Sequence, residues 1–388
     1  MNQTIKVPEA QMKAFLASKP EALHPVYRQL RVEGERNRVL NCMHLGLNAM
    51  QLGYWNDAKD AFDHALNNIE SVYADNKQAA QSRSLWYEEG RKNFKGEPYE
   101  RVMAYYYRGL IYIRDKDFQN ARACFKAGIN QDVFAEEKKY QADFALMSYL
   151  GGWVSLQLND DYLTKDYFEE LKKFRPDVIL PKPEDNVLII VETGKAPRKL
   201  GDGVGHWQLK LFRGKNFKDK RAAVSVDGGE KISVYPLEDI YWQATTRGGR
   251  QIDHFLKGQA IFKAKTEMVG STLTDVAATT MHASTVFGNS SSQLQGVGAA
   301  VGLLGVAAQL ASYNARPEAD IRYWANLPDS VHTISLNLTP GTHQLHVEFQ
   351  DEHGINIEAL NQKIEINVPE TSSNLIWLRS MQQIYIKK

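Results

Sequence analysis

The stretch FRPDVILPKPEDNVLIIVETG, Phe174 to Gly194, is where the chain changes its pattern. Upstream, apolar residues recur every three or four positions, the spacing of a helix face. Within the stretch, Pro176, Pro181 and Pro183 fall close together with charges between them. Proline removes a backbone donor and clashes with the preceding helical turn, so the run ends the helical pattern. Downstream, VLIIV reads as a buried strand and GHWQLKLFRG alternates with a period of two. The expectation is an α+β, two-part chain. A helical domain covers residues 1–178 and a β-rich domain covers 179–388.

Working toward the N-terminus, the helical half repeats itself. Gly46, Trp55, Ala58 and Phe62 return 63 residues later as Gly109, Phe118, Ala121 and Phe125. A weaker third copy lies in FALMSYLGGWVSLQLNDDYLTKDYFEELKKFRPD, whose second helix lacks the small residues. Small residues at matched positions let paired helices approach closely, and stacked pairs bury a continuous core. Pro98 suits the first turn of a helix.

These residues resemble tetratricopeptide repeats over about residues 25–176. The resemblance implies close helix packing at Gly46 and Gly109. It implies interhelical turns at Tyr54–Trp55 and Asp117–Phe118, and a second-helix core at Ala58, Ala121, Phe62 and Phe125. The period departs from the family's 34 residues. The segments FKGEPYER, YYY and GKAPRK also resemble a bacterial family with such a repeat domain, often associated with the cell envelope. The family likeness brings little function with it; the repeat surface, with a segment suited to helix association, is what suggests a scaffold or adaptor that binds a protein partner, and Arg83, Trp86, Tyr99, Arg101 and Arg108 suit such a surface. Tyr105, Tyr106 and Tyr107 cannot all share one helix face. One or two are expected inside and the rest along a groove. Glu88, Glu89, Glu97, Glu100, Glu136 and Glu137 lack an accompanying E-x-x-H and read as solvated helix faces.

Toward the C-terminus, AAVSVDGGEKISVYPL reads as strand, tight turn and strand. DSVHTISLNLTPGTHQLHVEFQDEHG reads as two strands joined at Thr339–Pro340–Gly341–Thr342. With the strands that follow, an antiparallel, sandwich-like domain is expected. It carries an uncharged, glycine-rich helical insertion over 268–315. Within this, forty consecutive positions from 276 lack Asp, Glu, Lys and Arg. Gly298, Gly302 and Gly305 mark a face for close helix association. Its unbroken apolar run, 296–308, is shorter than the roughly 18–20 residues of a membrane span. A buried helix, a membrane-touching helix and an oligomerising helix are the readings that remain.

Composition narrows function less than fold. The 388 residues carry a formal charge of +1, and 43% are apolar, so no global field argues for nucleic acid. Cys42 and Cys124 lie in helical patterns and read as buried thiols. No H-E-x-x-H and no G-x-S-x-G occurs, and the sequence nominates no catalytic residue, metal ligand or cofactor. The stretch VETGKAPRKLGDGVG departs from a phosphate-binding P-loop. It lacks the G-K-[ST] order, and a strand rather than a helix follows it. Lys195, Arg198 and Lys199 remain candidates for an anion or partner contact. A polar pocket around Glu192, Lys195, Arg198 and His206 would instead favour a ligand-binding or enzymatic module. The opening MNQTIKVPEAQMKAFLASKPEALH has no signal-like apolar run and no lipid-attachment cysteine. As written the chain is expected in the cytoplasm, or at the envelope if a leader has been removed.

Overall fold

The computed structural model describes residues 5–74, 93–132, 143–202, 208–246 and 320–386. Arg83, Trp86, His206 and the glycine-rich stretch with Gly298, Gly302 and Gly305 lie outside the described residues.

Two short helices, α1 (Glu9–Leu16) and α2 (His24–Glu33), precede three antiparallel helix pairs. The pairs are α3 (Arg38–Gln51) with α4 (Trp55–Ala74), α5 (Pro98–Arg114) with α6 (Phe118–Asp132), and α7 (Ala145–Gln157) with α8 (Asp161–Phe174). The pairs stack as a helical repeat, and each turns in the same way. The middle residue of each three-residue turn, Gly53, Lys116 and Asn159, has a positive φ. Two turns of helix before it, a glycine lies flat against a ring of the partner helix. A Cβ on Gly46 would come within 2.8 Å of Phe62. One on Gly109 or Gly152 would press closer still on Phe125 or Phe168. The third copy is therefore built like the first two, with Thr164 at the alanine position.

Helix α5 starts at Pro98, as its sequence suggests. Glu97 and Glu100 close a reciprocal capping box around its first turn. Neither glutamate is a solvated surface charge, because both are buried. The helix is enclosed by its neighbours and the sheet, which puts all three tyrosines of the YYY run inside rather than one or two.

Among the described residues, the β region has ten strands in three sheets. The middle sheet runs β10 (Asn374–Arg379), β1 (Val187–Thr193), β7 (Ser330–Leu336), β6 (Tyr235–Asp239). The outer sheet runs β5 (Ile232–Ser233), β4 (Arg221–Val226), β8 (Gly341–Gln350), β9 (Gln362–Val368). A separate hairpin pairs β2 (Arg198–Asp202) with β3 (Gln208–Phe212). Between β6 and the next described strand lies a short helix, α9 (Ile240–Thr246).

Strand β1 explains the VLIIV run. All seven of its residues are buried, because helices cover one face and the outer sheet covers the other. Leu188 and Ile190 join a core that continues into the helices. Val187, Ile189 and Val191 join a second core with Val224, Val347 and Phe349 of the outer sheet.

The turn expected at Asp227–Gly228 is present. Both residues have positive φ, and the Gly229 amide donates to the Val226 carbonyl at 2.9 Å, the mirror-image turn that suits a tight hairpin. Two other expectations need correction. The strands on either side of Thr339–Pro340–Gly341–Thr342 do not pair with each other. The connection carries the chain from β7 in the middle sheet to β8 in the outer one. The β region is also not wholly antiparallel, since β10 lies parallel to β1. Alternation shows which face of a strand is buried, but not which neighbour it takes.

Candidate functional site

The stretch VETGKAPRKLGDGVG leaves β1 at Thr193 and enters β2 at Arg198. Gly194 turns the chain with φ +74°, and a Cβ there would lie 2.5 Å from Asp329 and from the Phe217 ring. Its amide donates to the Asp219 carboxylate at 2.6 Å. This holds the turn against the Asn216–Asp219 loop.

The three cations of the stretch diverge. Lys195 is exposed. Arg198 lies along the hairpin, its Nε donating to the Arg213 carbonyl at 3.3 Å. Lys199 points the opposite way from Arg198, as alternation on a strand requires, and is buried in an ion pair with Glu97. One anion site built from all three is therefore not formed.

Lys195 instead lines a cleft of about 630 Å³ with Asn216, Phe217, Lys218, Leu360 and Met381. Lys218 is also exposed, so two ammonium groups flank the opening. Lys218 belongs to the dense basic run RGKNFKDKR, 213–221, which is a readable signal in the sequence. Packed against Gly194, Asp329 accepts from Arg213 at 2.6 Å and from Lys220 at 3.0 Å.

Glu192 does not face this cleft. Its carboxylate is sealed between α5 and the middle sheet. It accepts from Tyr106 at 3.1 Å, Tyr107 at 3.0 Å and the Trp377 indole at 2.9 Å. The Arg379 Nε lies 2.8 Å away. Burial pushes the carboxyl above its ordinary range, and Arg379 and the three donors pull against that. Burial also drives the Tyr106 and Tyr107 hydroxyls far above theirs, so both stay protonated donors. The described members of the pocket expected around Glu192, Lys195 and Arg198 thus point into three different surroundings.

The described members of the expected interaction set, Tyr99, Arg101 and Arg108, are likewise interior. Tyr99 is buried in α5. Arg101 donates to Gln131 and to the Gly96 carbonyl, both at 2.8 Å. Arg108 pairs with Asp63 at 2.6 Å and stacks 3.7 Å from the centre of the Tyr112 ring. These side chains bind helix to helix, which corrects their assignment to a partner-binding groove.

Other polar groups join the helices to the β region. Glu238 of β6 accepts from the Leu146 amide of α7 at 3.1 Å and from Gln243 at 2.8 Å, and it pairs with Arg175. Burial pushes its carboxyl up to about 7. Glu100 accepts from the Trp324 amide at 2.6 Å. Asn48 of α3 donates to the Tyr385 carbonyl at 2.7 Å. Apart from Gln243, each partner is far away in sequence, so no local pattern announces the contact.

Cys42 and Cys124 are free thiols, buried and half-buried, and burial pushes both up to about 12. Among the described residues, no group of three or more His, Cys, Asp or Glu side chains could hold a metal ion. Among them too, no helix is long and apolar enough to cross a membrane. Compared with known proteins, the chain significantly matches no family model, no curated sequence and no solved structure.

Proposed function

We propose that the protein is a non-catalytic adaptor that presents a rigid composite of helix pairs and sheets to a partner protein. The observation that supports this reading is the use of its interior polar groups. Glu192, Glu100, Glu238 and Asn48 each fasten a helix to the β region. Buried hydrogen bonds that tie one element to another rigidify a packing. A rigid pair of joined surfaces suits docking more than domain closure. In this reading the helix pairs are tetratricopeptide-like and the two facing sheets form a small β-sandwich. The assembly, in this reading, is a bacterial one at the cell envelope, which the resemblance of FKGEPYER and GKAPRK supports.

Crosslinking in native cells, followed by reconstitution from purified components, tests the adaptor reading. One partner recovered reproducibly and rebuilt into a stoichiometric complex is the expected result. A chain that captures nothing and stays a monodisperse monomer overturns it.

The cleft beside Lys195 favours a second reading, a binding module for an anionic ligand. Titration with inorganic phosphate and with heparin, against Lys195→Glu and Lys218→Glu, tests it. Binding that both reversals abolish supports it, and binding that neither reversal changes excludes this cleft.

A further inference from the structure

We propose that the free edge of β10 is the docking site for an extended peptide of a partner protein, which adds as a fifth strand to the middle sheet and sets a carboxylate against Arg114. This proposal rests on the adaptor reading and names its contact surface.

Strand β10 is outermost in the middle sheet and pairs on one side with β1. The Asn374 amide donates to Asn186 at 2.7 Å, and the Ser380 amide to Glu192 at 2.9 Å. In a parallel ladder, alternate residues face the same neighbour. Asn374, Ile376 and Leu378 therefore bond to β1, and the peptide groups of Leu375 and Trp377 point outward. At the end of the strand, the outward Arg379 carbonyl is occupied by the side chains of Gln362 and Gln382.

Folded proteins guard sheet edges with proline, bulges, charges or very short strands. Three edges of the two larger sheets show such guards. Strand β6 carries Pro236 and a register shift beside it. Strand β5 is two residues long. Strand β9 exposes Lys363 and Glu365. The β10 sequence NLIWLR has no proline and no charge before its last residue. Among the described residues, β10 is the apolar edge of the two larger sheets that carries no such guard, and this marks it as a pairing surface.

The edge opens into a groove of about 470 Å³. One wall is the α3–α4 corner with Trp55, and the other is Ile364 of β9. Leu375 and Trp377 lean toward the helical core, while Ile376 and Leu378 lean toward the core between the sheets. An incoming strand would meet apolar surface on both of its faces. Binding by strand addition draws affinity from the main chain and selectivity from alternate side chains. The charged groups lining the groove are Arg114 and Arg379, with no carboxylate among the lining residues. Glu192 already answers Arg379 in the interior, whereas Arg114 is nearly half exposed, pairs at the surface with its chain neighbour Asp115 at 3.0 Å and stacks 4.5 Å from the Trp55 ring centre, so its guanidinium stays within reach of a further carboxylate. That charge selects an acidic residue in the peptide. The recess also decides between occupants. A single extended segment enters between the walls, where the sheet edge of a second folded copy meets Trp55 and Ile364 first.

The test uses the full chain and a fluorescent synthetic decapeptide of alternating valine and threonine carrying one glutamate. Saturable binding is expected, with amide exchange at Leu375 and Trp377 slowed about tenfold or more while Ile376 and Leu378 hold steady. Leu375→Pro removes an outward donor and keeps every bond to β1, so it should abolish binding. Arg114→Glu lies at the surface and should weaken binding about tenfold while leaving the fold intact. N-methylating the probe on one set of alternate nitrogens should abolish binding, and on the other set should not. Absence of binding, or binding without protection of Leu375 and Trp377, overturns the proposal. So does a dimer that Leu375→Pro dissolves, because the occupant is then a second copy. A cellular partner captured equally well by Arg114→Glu and Leu375→Pro overturns the groove and leaves the adaptor reading standing. Failure of the parent chain to capture any partner overturns the adaptor reading instead.

Discussion

Glu192 of β1 and Arg379 of β10 sit opposite each other on parallel strands, their charged groups 2.8 Å apart and both closed off from solvent. The pair joins the middle sheet to the helices, because Glu192 also takes the Tyr106 and Tyr107 hydroxyls and Arg379 donates to the Asn326 carbonyl. Removing one charge leaves the other buried and unanswered. Glu192→Gln alone, or Arg379→Met alone, should each destabilise the fold by about 3–5 kcal/mol. The double variant should lose clearly less than the sum, since neither charge is then stranded. Urea unfolding of the four chains measures the coupling. Additive losses would show that the pair is not a unit.

The glycine–phenylalanine contacts make a second prediction. Gly109 lies against the Phe125 ring with no room for a Cβ. Gly109→Ala should therefore cost about 1–3 kcal/mol by overpacking, although alanine is the better helix former. Phe125→Leu in the same chain should recover part of that loss. Thermal unfolding of the single and double variants checks it. A stabilised Gly109→Ala would mean that helix propensity outweighs the contact.

These contacts also show how far the sequence could be read. Gly46 with Phe62 and Gly109 with Phe125 share one spacing, which made two helix pairs visible. Gly152 and Phe168 share it too, but the interval between units shortens there, and Asp161 and Thr164 replace the aromatic and the alanine. The Asp227–Gly228 hairpin was legible because its turn chemistry is local. The crossing from β7 to β8 was not, since strand alternation carries no information about the partner. Tyr99, Arg101 and Arg108 read as surface residues because aromatic and arginine side chains favour interfaces. Their interior is made by Gln131, Asp63 and other residues far away in the chain. At the candidate cleft, the basic runs that carry Lys195 and Lys218 are each readable, but their meeting is not, because folding of separate loops brings the two together.

Glu238 gives the fold a pH dependence of known sign. In the unfolded chain its carboxyl titrates near the ordinary 4.5, and burial raises it to about 7 in the fold. Between those values the folded state keeps a proton that the unfolded chain has lost. Stability from this group therefore falls as pH rises through that window and levels off above it. Glu238→Gln cannot ionise and escapes the fall. Relative to the parent, the variant should gain stability from pH 4.5 to 7, by an amount on the order of 2 kcal/mol. His332 has the opposite sign, because burial lowers it to about 4 from 6.5. It is present in both chains and cancels in the difference. Unfolding free energies of the two proteins across the window are the measurement, and a constant difference would show that Glu238 does not titrate there.

Lys195 and Lys199 stand four residues apart and should answer charge reversal in opposite ways. Lys195 reaches solvent at the cleft, and Lys195→Glu should change stability by no more than about 0.5 kcal/mol. Lys199 is the buried counter-ion of Glu97, which shares a capping box with Glu100. Lys199→Glu removes the buried cation paired with Glu97 and places a further carboxylate beside the two glutamates. A loss of about 3–5 kcal/mol, or failure to fold, should follow. Lys199→Glu combined with Glu97→Lys restores a buried pair of opposite charges and should recover part of the loss. Melting temperatures of the three variants decide it. A mild Lys199→Glu would place that side chain at the surface with Lys195 and reopen the case for a shared anion site.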